Sequence, residues 1–221
     1  MDERAGRIVY VSGCLLNQNL RFPGIALRKG AFTEVVDLLL RNEVGIAALP
    51  CLERDGWGGV TRKTFFRFQP RIIASVDARW FPCVRLCIRA WLWHFARLCR
   101  ARSKAVAAEM EDFVRAGGSV LGVVAMDDSP TCGVTKTIDL LEAARILKRL
   151  GWSGADLDHP DLEKMKRTLP ALCSKGQGIF MREVWKEMRR KGLAIPIVGF
   201  DPWGDSSLEV RRIAQALGLR A

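Results

Sequence analysis

Hydrophobic positions along this chain follow two rhythms. Short apolar runs of strand length occur at Arg7–Ser12, Gly45–Leu49 and Ser119–Ala125, each followed at once by a polar or glycine-bearing turn. Continuous runs of that length read as strands buried on both faces, the habit of a parallel sheet. Between them the period is helical. Val35, Val36, Leu38, Leu39 and Leu40 predict a helix starting near Ala31, and a second strand is expected over 44–49. From Cys83 to Arg115 the pattern is helical, in one piece or two, until Gly117-Gly118 stops it. There Val84, Cys87, Ile88, Trp91, Leu92, Phe95, Leu98 and Cys99 share one face, with Arg85, Arg89, Arg97 and Arg100 mostly opposite.

The remaining stretches are read the same way. The segment from Thr61 to Pro82 is ambiguous between strand and helix, and a helix is expected over 137–150, closed by Gly151. The polar region 154–172 reads as a loop with a short helix in 161–168, and another helix is expected over 181–191. A last strand over 194–200 precedes a final helix from Ser206 to Leu217, with Ser206 or Ser207 as its N-cap. Strands alternating with helices predict an α/β fold with a mostly parallel sheet.

Composition narrows the class. Hydrophobic residues make up 49% and charged ones 27% of 221 residues, enough for a packed core. The start of the chain is too charged for a signal peptide and no apolar run reaches membrane length, so a cytoplasmic location is expected, without a transmembrane segment. The net charge of +11 permits a nucleic-acid or anionic partner without requiring one. The Arg-rich helix leaves two readings open, a core-packed helix with a solvated basic face or a basic surface for membrane or nucleic acid.

The candidate chemistry lies in three of the seven cysteines. Cys14, Cys51 and Cys132 each sit in the turn after a predicted strand. In an open parallel sheet the loops beyond the strands' carboxyl ends converge on one crevice, so thiols distant in sequence would meet there. Soft thiolates suit an iron–sulfur cluster. Since a full set has four ligands, three would leave one iron free to act as a Lewis acid. The plainer alternative is that they are small buried hydrophobes. Cys83 and Cys87, four apart, have a spacing that suits zinc, but no second pair completes a site. Core packing is therefore the reading for Cys83, Cys87, Cys99 and Cys173, while His94 and His159 are isolated, the latter in an Asp158-His159-Pro160 turn.

The turns themselves resemble those of the thiouracil desulfidase family, in particular its branch of desulfidase-related proteins. That family has a Cys-Leu-Leu turn, a Cys-Pro-Glu turn followed by Gly-Gly, and a Ser-Pro-Ser-Cys-Gly turn. Here they read Cys14-Leu15-Leu16, Cys51-Leu52-Glu53 with Gly58-Gly59, and Ser129-Pro130-Thr131-Cys132-Gly133. Asn17-Gln18-Asn19, Gly176–Phe180 and Gly199-Phe200-Asp201 also look like that branch. Leu52 in place of proline, Leu20 and Pro23 in place of Cys and Asp, and Asp127-Asp128 before Ser-Pro are departures that leave the substrate open.

The resemblance implies a Rossmann-like three-layer domain over 1–221, with the site at the C-terminal ends of the strands and an Arg/Trp-rich helical insert at about 79–104. It implies a [4Fe-4S] cluster on Cys14, Cys51 and Cys132 with one open iron, and desulfuration without net redox change of a thiolated heterocycle such as thiouracil, a thionucleobase or a thionucleoside. The substrate sulfur would bind the open iron while water attacks the carbon. Glu53 matches the acid of the second turn and would be the general base; Ser129 matches the first serine of the third and would place substrate or water. The plainer readings are an exposed turn carboxylate for Glu53 and a capping residue for Ser129. In the same loops Ser12, Asn17, Asn19, Arg21 and Thr131 are candidate substrate-binding residues. The rival readings are other open-iron chemistry (dehydration or sulfur transfer), a non-catalytic metal-bearing sensor or RNA-binding module, and a zinc protein.

Overall fold

The structure, a computed structural model, describes residues 3–153, 156 and 161–221. In chain order its elements are β1 (Arg7–Ser12), the one-turn α1 (Gly13–Leu16), α2 (Thr33–Arg41), β2 (Gly45–Leu49), α3 (Leu52–Trp57), α4 (Lys63–Phe66), α5 (Gln69–Ala74) and α6 (Phe81–Arg115). They continue as β3 (Ser119–Met126), β4 (Lys136–Ile138), α7 (Ala143–Arg149), α8 (Leu162–Leu172), β5 (Cys173–Lys175), α9 (Ile179–Arg190), β6 (Ile197–Phe200) and α10 (Ser206–Leu217).

The main sheet is parallel throughout, in the order β2-β1-β3-β6. Side chains alternate across it as the pleat demands. Val9, Val11, Val124 and Met126 pack toward Val35, Leu39 and Ile213 of α2 and α10. Tyr10, Val123 and Ala125 pack toward Met110, Phe180 and Val184 of α6 and α9. The result is the expected Rossmann-like α/β arrangement, with helices on both faces of the sheet. From β1 the chain runs first to β2 on one side and later to β3 on the other. The point where strand order reverses, where such sheets bind ligands, therefore lies between β1 and β3.

A third apolar cluster stands apart from these two. Ile73, Ala144, Trp152, Met165, Leu169 and Leu172 form it, with Phe22, Ile25, Phe66 and Trp203 packed against them. It joins α5, α7 and α8, and β4 pairs antiparallel with β5 beneath it. We refer to this group as the cap, because its residues and the strand ends line one cavity.

Several local expectations are revised. Segment 136–138 is a strand, and the helix starts only at Ala143, after the Asp139 side chain has accepted the Leu141 N–H in a turn. β-branched Thr137 and Ile138 favour that extended start. The short helix expected in 161–168 extends to Leu172, with Asp161 as its N-cap and Pro170 inside it. Helix α9 begins at Ile179, two residues earlier than expected, and β6 is confined to Ile197–Phe200, just past Pro196, which has no N–H to give a ladder. The N-cap of α10 is Asp205, not Ser206 or Ser207: its carboxylate accepts the Ser207 and Leu208 N–H groups.

The ambiguous stretch 61–82 supplies α4 and α5. Helix α6 is one piece of 35 residues, about 50 Å long. Pro82 sits in its first turn, where a missing N–H costs nothing, and neither Gly nor Pro interrupts it before Gly117. The Arg/Trp-rich stretch supplies about the first two thirds of it, from Phe81 to position 104. Phe95 and Cys99 are buried there, Trp91 is half-buried, and Cys83 and Cys87 are exposed, against the core-packing reading for those two. Arg85 pairs with Glu142 and Arg100 with Glu183. Among the described residues no helix is long and apolar enough to cross a membrane.

Candidate functional site

Each of the three predicted thiols leaves a strand by a short, defined path. Cys14 lies in α1, immediately beyond β1. Cys51 is the residue at which α3 starts, just beyond β2. Cys132 lies six residues past the end of β3, in a loop pinned from both sides. On one side Asp127 accepts N–H bonds from Val134 (2.7 Å) and Thr135 (2.9 Å) and the Thr135 hydroxyl (2.7 Å). On the other, Gly178 N–H donates to Gly133 O (2.8 Å), and a Cβ at position 178 would collide with the Thr131–Cys132 backbone. That close approach explains a glycine before α9.

Cys14, Cys51 and Cys132 all line one cavity of about 150 Å³. Burial pushes the Cys14 thiol well above the ordinary range; neighbouring Cys132 and Cys51 add to the rise and the Arg21 guanidinium opposes it. Cys132 is pushed up to about 12, chiefly by burial, against hydrogen bonds from the Ser12 and Thr131 hydroxyls. Cys51 is raised by burial and then by Glu53, while the Arg54 N–H and the Arg62 guanidinium pull it down. The three sulfurs thus feel one another electrostatically. Among the described residues, however, no three His, Cys, Asp or Glu side chains are placed to share one metal ion. The thiols ring the cavity without meeting at one point.

Beside them, Glu53 is the centre of a small polar cluster. Its Oε1 accepts from Ser129 Oγ (2.8 Å) and Thr131 Oγ1 (2.9 Å). Ser129 Oγ in turn accepts the N–H groups of Thr131 (3.2 Å) and Cys132 (3.0 Å), which leaves its single proton to donate, with Glu53 at 2.8 Å and Thr131 Oγ1 at 2.9 Å in reach. Glu53 Oε2 stands 3.6 Å from Arg62 Nη2, and the same nitrogen is 3.6 Å from Cys51 Sγ. Arg62 is held by its other donors: Nη1 bonds Gly59 O and Val60 O, and Nη2 bonds Leu20 O.

A second buried pair closes the far wall. Arg21 Nη2 donates to Asp128 Oδ2 (2.9 Å), which also accepts Trp203 Nε1 (3.0 Å). Burial lifts the Asp128 carboxyl above its usual range against the pull of Arg21. Arg21, despite burial, is held more firmly protonated by Asp128, Cys14 and Glu53. Asp128 has a left-handed φ of 73°, an uncommon conformation for a residue with a side chain. Buried polar atoms nearly always have partners. Yet Arg21 Nη1, Trp57 Nε1, Arg62 Nε and Asp128 Oδ1 have none among the described residues, and all four belong to residues lining this cavity.

Of the residues singled out in the sequence, Cys14, Cys51, Cys132, Glu53, Ser129, Arg21 and Thr131 all line the cavity. Ser12 lies behind it, buried, bonded to Cys132 and accepting the Met126 N–H (3.3 Å). Asn17 and Asn19 do not reach it. Both are exposed, and Asn17 Oδ1 accepts the Asn19 N–H and Nδ2 in capping a 3-10 turn. Glu53 and Ser129 are neither an exposed carboxylate nor a simple cap, since they bond each other across 76 positions. Sequence reading missed Arg62, Asp128 and Trp57 as wall residues; the two glycines before Arg62 were the one hint. Cys99 is buried and Cys173 half-buried, their thiols raised by burial to about 12 and about 11. His94 is exposed, and His159 lies outside the described residues.

Comparison with known proteins adds little to this geometry. The chain is similar to an uncharacterized protein of Methanocaldococcus jannaschii, 51% identical over 47 residues, which is 21% of this chain and 30% of that protein. The chain thus matches less than a third of that relative's length. No protein-family model matches the chain. No solved structure matches it either.

Proposed function

We propose that this chain hydrolyses the C=S bond of a thiolated heterocycle, releasing sulfide and leaving the oxo compound, with no net electron transfer. The observation that carries the reading is three strand-end thiols, a hydroxyl-supported carboxylate and unpartnered polar atoms around one small cavity.

The donor set fits a [4Fe-4S] cluster. Cys14, Cys51 and Cys132 would hold it, one thiolate per iron, which suits thiols that ring a cavity better than a single shared ion would. Such a cluster, when bound, supplies a thiophilic Lewis acid at its fourth iron. The rest of the chemistry belongs to the chain. Glu53 Oε1 is occupied by two hydroxyls, so Oε2 is the atom that takes a proton from water. Ser129 and Thr131 fix the carboxylate's orientation, and Arg62 faces Oε2 at 3.6 Å. The free N–H of Arg21 Nη1 and the free Oδ1 of Asp128 are a donor and an acceptor on one wall. They match the C=O and N–H edge of a lactam-like ring.

Anaerobic purification with iron and sulfide quantification tests the cofactor: about four irons per chain are expected. Cys14→Ala, Cys51→Ala and Cys132→Ala should each lose them. With 2-thiouracil as first probe, sulfide and uracil should appear together. Glu53→Gln should keep the iron and lose about 10²- to 10⁴-fold in kcat. Full iron with unchanged turnover in that variant would remove Glu53 as the base.

A further inference from the structure

The cavity has two chemically different linings, a polar one with the thiols and an apolar one from the cap. Every charged residue that lines it comes from the segments that follow β1, β2 and β3: Arg21, Glu53 and Arg62, and Asp128. The cap lines the rest with Phe66, Ile138, Leu147, Trp152, Leu169 and Leu172 among others, and the described cap residues there include no charged side chain. Two polar groups at that end are used up within the wall. Trp152 Nε1 donates to Thr168 Oγ1 (3.0 Å), and Thr168 Oγ1 donates to Lys164 O (2.7 Å).

A second space of about 350 Å³ borders the first, sharing Phe65, Gln69 and Leu140 as wall residues, and is lined on its other side by Ile88 and Trp91 of α6. It too has no charged lining residue among those described. A bare thiopyrimidine at the thiol end would leave this chamber without a partner, forfeiting the contacts its wall could make. A phosphate or free carboxylate would enter it unpaired, at a large desolvation cost.

We infer that the substrate carries a neutral apolar substituent, alkyl or aryl, which lies in the cap chamber while the thiolated ring faces the cysteines. The inference rests on the desulfuration reading for the ring end, and it narrows the substrate class to hydrophobically substituted thiones and away from nucleotides. Gln69, at the junction of the two spaces, is placed to meet the bond joining ring and substituent.

Two matched pairs of compounds test this on the anaerobically prepared, cluster-loaded protein. The first pair, uracil and 6-benzyluracil, contains no sulfur and is read by calorimetric binding. The second, 2-thiouracil and 6-benzyl-2-thiouracil, is read by sulfide release. The benzyl compound should bind at least tenfold tighter and show at least tenfold higher kcat/KM, as burial of an aryl group implies. Ala144→Trp, which fills the chamber from α7, should cut both preferences to about twofold or less; should it fail to fold, the wild-type comparison decides. Equal sulfide release from both thiones overturns the inference and leaves the proposed reaction standing. Tighter binding of 6-benzyluracil with no sulfide from either thione supports the chamber and overturns the reaction. Turnover of 2-thiouridine 5′-monophosphate as efficient as that of the benzyl compound also overturns the inference.

Discussion

Arg21 and Asp128 meet at 2.9 Å across 107 positions of sequence, and this single contact ties the loop after β1 to the loop after β3. Both side chains are buried, so each depends on the other. Arg21→Met should destabilise the protein by about 3–5 kcal/mol in denaturant unfolding, because it leaves a buried carboxylate unpaired. Arg21→Met combined with Asp128→Asn should recover much of that loss, since Asn still accepts the Trp203 indole N–H. A double variant as unstable as the single one would show that Arg21 stabilises by packing.

Ser129 spends its oxygen on the backbone as well as on Glu53. Ser129→Ala removes the acceptor for the Thr131 and Cys132 N–H groups. A cost of about 1–3 kcal/mol is expected, together with faster iron loss on exposure to a chelator. Thr131→Val keeps those two bonds and removes a hydroxyl that reaches both Glu53 and, at 3.8 Å, Cys132 Sγ, so it should slow turnover more than it loosens iron. Iron content and rate measured side by side distinguish the two roles.

Glycine at 178 does not line the cavity, yet it fixes the backbone of one of the thiols that do. Gly178→Ala would drive a methyl into the Thr131–Cys132 backbone and displace the third thiol, so iron content should fall sharply. Gly30→Ala, where an added Cβ meets nothing within 4 Å, is the control and should load normally.

Cys99 makes an alkaline prediction. Its buried thiol is held at about 12, while an unfolded chain ionises near the ordinary value of about 8.5. The folded state therefore retains a proton that the unfolded state gives up. The stability this thiol contributes is complete below about pH 8.5 and is lost as pH rises toward 12, with a limiting slope of about 1.4 kcal/mol per pH unit. Urea unfolding of wild type and Cys99→Ala from pH 8 to 10.5 should show the shallower fall in the variant.

Much of this was legible along the chain because the central strands β1 and β3 are largely buried and, like the edge strand β2, announce themselves as apolar runs. Once Val9, Ala47 and Val124 are assigned to parallel strands, the convergence of Cys14, Cys51 and Cys132 follows from topology. The cap was not legible, for a physical reason. β4 and β5 pair Ile138 with Cys173, 35 positions apart, through three-residue segments too short to carry a period. Arg62 and Asp128 owe their places to left-handed backbone, at φ of 51° and 73°, in residues with no intrinsic preference for it strong enough to read. Asn17 and Asn19 illustrate the opposite error, a polar cluster near the right loop that is occupied in capping its own turn.

One rod, α6, serves two bodies of the protein: its Met110 end is packed under the sheet, and its Trp91 end borders the second chamber. No glycine or proline between them offers a joint. The sheet and this chamber wall are therefore splinted together, so a change in the chamber's width would fall to the short helices α4, α5 and α7 that line it opposite the strut.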